Sequence, residues 1–175
     1  MGIEYVDRDA LVRPIHIHAS DESIRNILSA AVGHLSEFQI SYSQGVVLLY
    51  SPSGRKDAEN LLNKAIPDFV VTGMDTQAAG AELTCALTRV ASPGSGCFAS
   101  IAKGEWGPLK ITLRARNERV REILDDIVIQ NGNAVWTVTV PPEKLSALPI
   151  VNLWHIYPLQ SRFEGEIAAR LAGMF

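Results

Sequence analysis

No apolar run in this sequence is long enough to cross a bilayer. The longest, such as Gly45 to Tyr50, fall far short of the ~20 residues that a spanning helix needs. Cysteine is nearly absent, and the two present, Cys85 and Cys97, cannot make a disulfide framework. A surplus of positive charge is missing as well: 16 Lys and Arg face 19 Asp and Glu, for a net charge of -3. With no basic stripe, a nucleic-acid backbone is not the expected partner. The opening MGIEYVDRDALVR lacks the apolar core of a secretory leader, which leaves a longer precursor open.

Chemical signatures are equally sparse. Ser92-Pro93-Gly94-Ser95-Gly96 has the glycines of a phosphate loop, but no Lys followed by Ser or Thr completes it. Gly104-Glu105-Trp106-Gly107 has the G-x-x-G form of a KH clamp, yet it is expected to join two strands rather than two helices. No serine sits on a recognisable nucleophile elbow. Asp125 and Asp126 are neighbours on an expected helix and diverge by about a quarter turn, which makes them a solvated face.

His16-Ile17-His18 is the strongest candidate for chemistry. Alternation on a strand puts both imidazoles on one side, a spacing that can bind Zn²⁺. A third ligand would have to come from Asp21, His34 or His155 by folding. Because Ile15, Ile17 and Ala19 take the core face, the two histidines are expected on an exposed face. The sequence therefore assigns no catalytic residue, metal or cofactor, and a small metal-dependent hydrolase using His16 and His18 is the alternative reading.

What the chain does have is pattern, most clearly from Pro108 to Val140. Ile111, Leu113 and Ala115 alternate with Lys110, Thr112, Arg114 and Arg116, the period of a strand with one buried face. Asn117 is the expected N-cap of a helix carrying Val120, Ile123, Leu124, Ile127 and Val128 on one stripe. Arg119, Arg121, Glu122, Asp125 and Asp126 are expected to stay wet. Asn131-Gly132-Asn133 ends the helix, and Ala134 to Val140 is a second strand rich in β-formers.

Residues 1–13 read as an arm or irregular edge strand. A strand over Ile15 to Ala19 leads to a helix capped by Ser20 or Asp21, with a stripe of Ile24, Ile27, Leu28, Ala31 and Leu35. Phe38 to Tyr42 and Val46 to Tyr50 flank Gln44-Gly45 as a hairpin. Pro52-Ser53-Gly54 breaks the chain before a helix over Asp57 to Ile66, and Pro67 is the expected boundary. Beyond it come a strand (Phe69 to Met74), a helix capped by Asp75 or Thr76, and a short strand (Cys97 to Ala102). A final strand runs over Val151 to Tyr157, and a helix from Arg162 to Met174. The class is α+β, in two small units. A β-α-β-β-α unit spans 14–66, and a β-α-β-β-α-β unit with an extra strand spans 67–160, with a helix in 161–175. On its helix Cys85 falls roughly opposite Leu83, Leu87 and Val90, so free thiols are expected ahead of a disulfide. An ungapped repeat supports the parsing: Ile15 to Val32 matches Ile111 to Val128 at a constant separation of 96 positions.

The stretch IPDFVVTGMDTQAAGAELTCALTRV followed by LKITLRARNERVREILDDIVIQNGNAVWTVTV resembles the secretin and TonB N-terminal short domain. Ile111, Leu113, Val120, Ile123 and Leu124 carry the match, which covers about residues 67–140. The first unit, ending in AENLLNKAI, is similar to the KH-like modules of secretin periplasmic arms. The sequence departs from the family in its Gly- and Ser-rich loop at Ser92 to Gly96, and no pore or barrel sequence follows. The resemblance implies a non-catalytic, periplasmic or cell-envelope module. Its partner would be another protein, or another domain of a longer native chain, bound through sheet edges or helix faces. Ile129, an apolar residue roughly opposite the Ile123/Ile127 stripe, is the candidate partner contact.

Overall fold

Gln44 and Gly45 both take positive φ (48° and 82°), the turn that matches the twist of a two-residue hairpin. They join β2 (Gln39–Ser43) to β3 (Val46–Tyr50) in the expected antiparallel register, Ser43 opposite Val46. The structure is a computed structural model that describes residues 2–4, 23–35, 37–97, 109–132, 134–139 and 150–155. Its remaining elements are β1 (Gly2–Glu4), α1 (Ile24–Gly33), α2 (Pro52–Lys56), a 3-10 turn (Leu61–Asn63), β4 (Ala65–Met74), α3 (Thr76–Ala91), β5 (Ile111–Arg119), α4 (Val120–Asn131), β6 (Ala134–Thr139) and β7 (Ile150–His155). The fold is α+β.

Five strands form one sheet in the order β2-β3-β1-β6-β7, and β4 and β5 form a separate antiparallel ribbon. Residues 2–4, expected in an arm or at an edge, are instead the central strand. β1 runs parallel to both neighbours, with Gly2 opposite Leu48 on one side and Trp136 on the other. Helices α3 and α4 contact the ribbon through β4 and β5, and the large sheet through β7 and β6. A single cluster runs through these layers, from Val46 and Leu48 through Phe69, Leu83 and Ile111 to Ile123, Leu124 and Trp136. Ile123 and Leu124 are fully buried, so truncating either to Ala would cost about 2–5 kcal/mol.

Several expected boundaries move, each for a local reason. Asp57 to Ile66 is not a helix. Pro52 takes the first position of α2, where its missing N–H costs nothing, with Ser51 as N-cap. Asn60 then caps the 3-10 turn by accepting from the Leu62 N–H at 3.0 Å, and Ala65 already belongs to β4. β4 continues through Pro67, the expected boundary, and the large sheet draws strands from both sides of that position. Asn117 does not cap α4 but takes φ 50° inside β5. Pairing of Ala65 with Arg119 holds the strand extended for two more residues. Arg119 is the N-cap, its N–H donating to Glu122 Oε2 at 3.0 Å. The cap of α1 is Ser23, whose Oγ accepts from the Asn26 N–H.

The Asp75 cap and the Gly132 stop behave as expected. Asp75 Oδ1 accepts from the Ala78 N–H at 2.8 Å, and Gly132 closes α4 at φ 77°. The strand over 15–19, most of the one over 97–102 and the helix over 162–174 lie outside the described residues. Helix starts keep the repeat: α1 begins at residue 24 and α4 at residue 120, 96 positions apart. Burial does not keep it. Ile27 and Leu28 are half-exposed, whereas their counterparts Ile123 and Leu124 are sealed.

Candidate functional site

The β4–β5 ribbon has two unlike faces. Phe69, Val71, Ile111 and Ala115 point into the core, as alternation along a strand requires. The other face carries Asp68, Val70 and Thr72 from β4 and Thr112, Arg114 and Arg116 from β5, all exposed. Val70 is 53% exposed and lies opposite Arg114, and Asp68 lies opposite Arg116 at 3.8 Å. Lys110 and Leu109, also exposed, precede β5. Among the described residues nothing covers this face. The register shifts between Val71 and Met74, where Gly73 takes φ 62° and donates its N–H to Thr112 Oγ1, and pairing resumes with Met74 opposite Ile111.

Helix α4 presents a second surface. Ile129 is 40% exposed, as its place opposite the stripe predicts. Glu118, Glu122 and Asp126 gather at the other end of the helix. Partial burial, then the charges of Asp126 and Glu122, push the Glu118 carboxyl above its ordinary value. Burial and the charge of Glu122 do the same to Asp126.

Two residues expected on the wet side of α4 are not wet. Arg121 is buried, and its Nη2 donates to Asn63 Oδ1 at 2.6 Å. Asp125 accepts the Trp136 indole N–H at 2.8 Å. Burial raises the Asp125 carboxyl, opposed by that hydrogen bond and by the charges of Arg55 and Arg121. Arg55 in turn stacks 3.5 Å over the Tyr50 ring. At the far end of the helix Asn131 Nδ2 donates to the buried Thr76 Oγ1 at 2.7 Å, fastening α4 to the start of α3. A one-face reading of the helix misses these groups because α4 packs against two layers. Asn60 and Asn63 in the sequence were the available signal, since Asn favours caps and turns over helix interiors.

Cys85 and Cys97 form a disulfide, against the expectation of free thiols. Cys85 does lie on α3, but Cys97 follows the Ser92 to Gly96 loop, which brings the chain back along the flank of the helix. His16 and His18 lie outside the described residues, so the structure brings nothing to them. Among the described residues no group of three His, Cys, Asp or Glu is placed to hold a metal ion, and no helix is long and apolar enough to cross a membrane. Comparison with protein-family models, curated proteins and solved structures found no match to this chain.

Proposed function

We propose that this chain is a non-catalytic interaction or assembly module of a bacterial cell envelope, of the kind its resemblance to the secretin and TonB short domain implies. The observation that carries the reading is the β4–β5 ribbon, packed on one face and open on the other, with Val70 at its centre. A two-stranded ribbon has few partners for its own backbone and side chains, and open strands of this kind associate by face packing or strand addition. Exposed Ile129 offers a second apolar point. The Cys85–Cys97 disulfide favours an oxidising compartment such as the periplasm. The partner is another protein or another domain of a longer native chain. The hydrolase alternative rests on His16 and His18, and no observation adds to it.

The test is site-specific photo-cross-linking in the native host, with the probe at Val70 or Ile129 and a control probe at the exposed Glu59. Adducts in the envelope fraction from Val70 or Ile129, but not from Glu59, support the module. Recovery in the cytosol with both thiols reduced removes the envelope role. Identical behaviour of all three probes removes the interaction role.

A further inference from the structure

We infer that the outer face of the β4–β5 ribbon docks an extended acidic segment of a partner protein, an inference that deepens the module reading and rests on it. In a chain of net charge -3, this face carries Arg114 and Arg116 against the single carboxylate of Asp68, with exposed Lys110 just before β5. Arg114 and Arg116 are two residues apart on one strand, which sets their side chains about 7 Å apart on one side of the ribbon. That is also the spacing of alternate side chains in an extended peptide. Carboxylates at alternate positions of such a segment meet one guanidinium each, and guanidinium pairs with carboxylate through two parallel hydrogen bonds.

Val70, opposite Arg114 on the neighbouring strand, offers an apolar contact beside that charge to the methylenes of a docked carboxylate side chain. The existing Asp68–Arg116 pair is no obstacle. Both side chains are largely exposed and 3.8 Å apart, so the pair is weak and exchangeable. Other polyanions fit this face less well. A lipid surface would meet the Asp68 carboxylate and only one large apolar side chain within the face, where membrane-seated surfaces need a broad apolar side. A long nucleic acid would run on towards Glu118, Glu122 and Asp126, which repel it.

The test is fluorescence anisotropy with the full chain and a labelled peptide alternating Glu and Val, about six residues long. Saturable binding is expected, weakened roughly tenfold or more by Arg114→Gln with Arg116→Gln, weakened by Val70→Asp, and lost when Gln replaces Glu in the peptide. All three positions are exposed, so unchanged circular dichroism and Tm will show that the variants fold. Absence of saturable binding overturns the inference, as does binding that ignores the two arginines. Preference for phosphatidylglycerol vesicles over the peptide assigns the face to lipid and overturns it too. Cross-linking at Ile129 separates the two levels. Partner capture there that is indifferent to Arg114 and Arg116 keeps the module and rejects this face, and loss of both rejects the module.

Discussion

Trp136 donates its indole N–H to Asp125 at 2.8 Å, and through that bond strand β6 of the large sheet is tied to helix α4. The same indole lies against Gly2 of the central strand, leaving no room there for a Cβ atom. A strand from the start of the chain thus meets the consecutive elements α4 and β6 at one fully buried tryptophan.

Gly2→Ala should therefore destabilise the chain, because the added methyl collides with the indole and the strand must shift. A cost of about 1–3 kcal/mol is expected from overpacking of this kind. Chemical denaturation checks it, and a midpoint equal to wild type would mean that β1 does not seat against Trp136.

The carboxyls of Asp125, Asp126 and Glu118 are all raised, with burial the leading cause for each. A raised carboxyl holds its proton more tightly folded than unfolded. Ionising it therefore lowers stability as pH rises through the folded-state value, and the loss is complete above it. Tm should climb as pH falls from about 7 into the raised range, then drop once ordinary carboxylates protonate. Asp125→Asn keeps an acceptor for Trp136 and removes the charge. Its Tm at about pH 7 should equal or exceed that of wild type, with a flatter pH profile. A lower Tm for this variant would show that the charge of Asp125 is needed beside Arg55 and Arg121.

Asn63 holds the short helix α2 to α4. Its Nδ2 lies 2.6 Å from the Asp57 carbonyl, 3.1 Å from that of Arg55 and 3.2 Å from that of Gly54, while its Oδ1 takes the Arg121 hydrogen bond. Two hydrogens shared among three carbonyls are partly redundant, but the Arg121 contact is charge-assisted. Asn63→Ala should cost about 2–3 kcal/mol in a urea titration. A change under about 0.5 kcal/mol would place it with ordinary surface positions.

The Cys85–Cys97 bridge closes a short loop, with a sequence separation of 12. Restricting the unfolded chain by a loop of that size stabilises by about 3 kcal/mol. Adding a reductant, or replacing Cys85 with Ser, should lower Tm to the same extent. If reductant alone leaves Tm unchanged, the bridge contributes nothing to the folded state.

Much of this fold was legible in residue order. The Gln44-Gly45 hairpin, the Asp75 cap, the α4 stripe and the Gly132 stop are local choices that neighbouring residues settle. So was the exposure of Ile129, which depends only on helical period. Strand β5 was also foreseen, but not its end. Asn117 has the right chemistry for a cap, and pairing with β4 overrode it, so that the helix began at Val120 behind Arg119. Asp57 to Ile66 shows the same competition, where a helical spacing of apolar residues lost to Asn60 and Asn63 at the turn and to strand pairing from Ala65.

By itself the sequence determined the α+β class, the period of β5 and α4, and the turns at Gln44-Gly45 and Gly132, because those depend on contacts within a few residues. Only the tertiary structure decided that residues 2–4 sit at the centre of a sheet, that Cys85 meets Cys97, and that Arg121 and Asp125 are drawn from the wet side of α4 into hydrogen-bonded contacts. Each of these joins residues whose encounter is set by how layers pack. A helix covered on two sides cannot be told from one covered on a single side until both layers are in place.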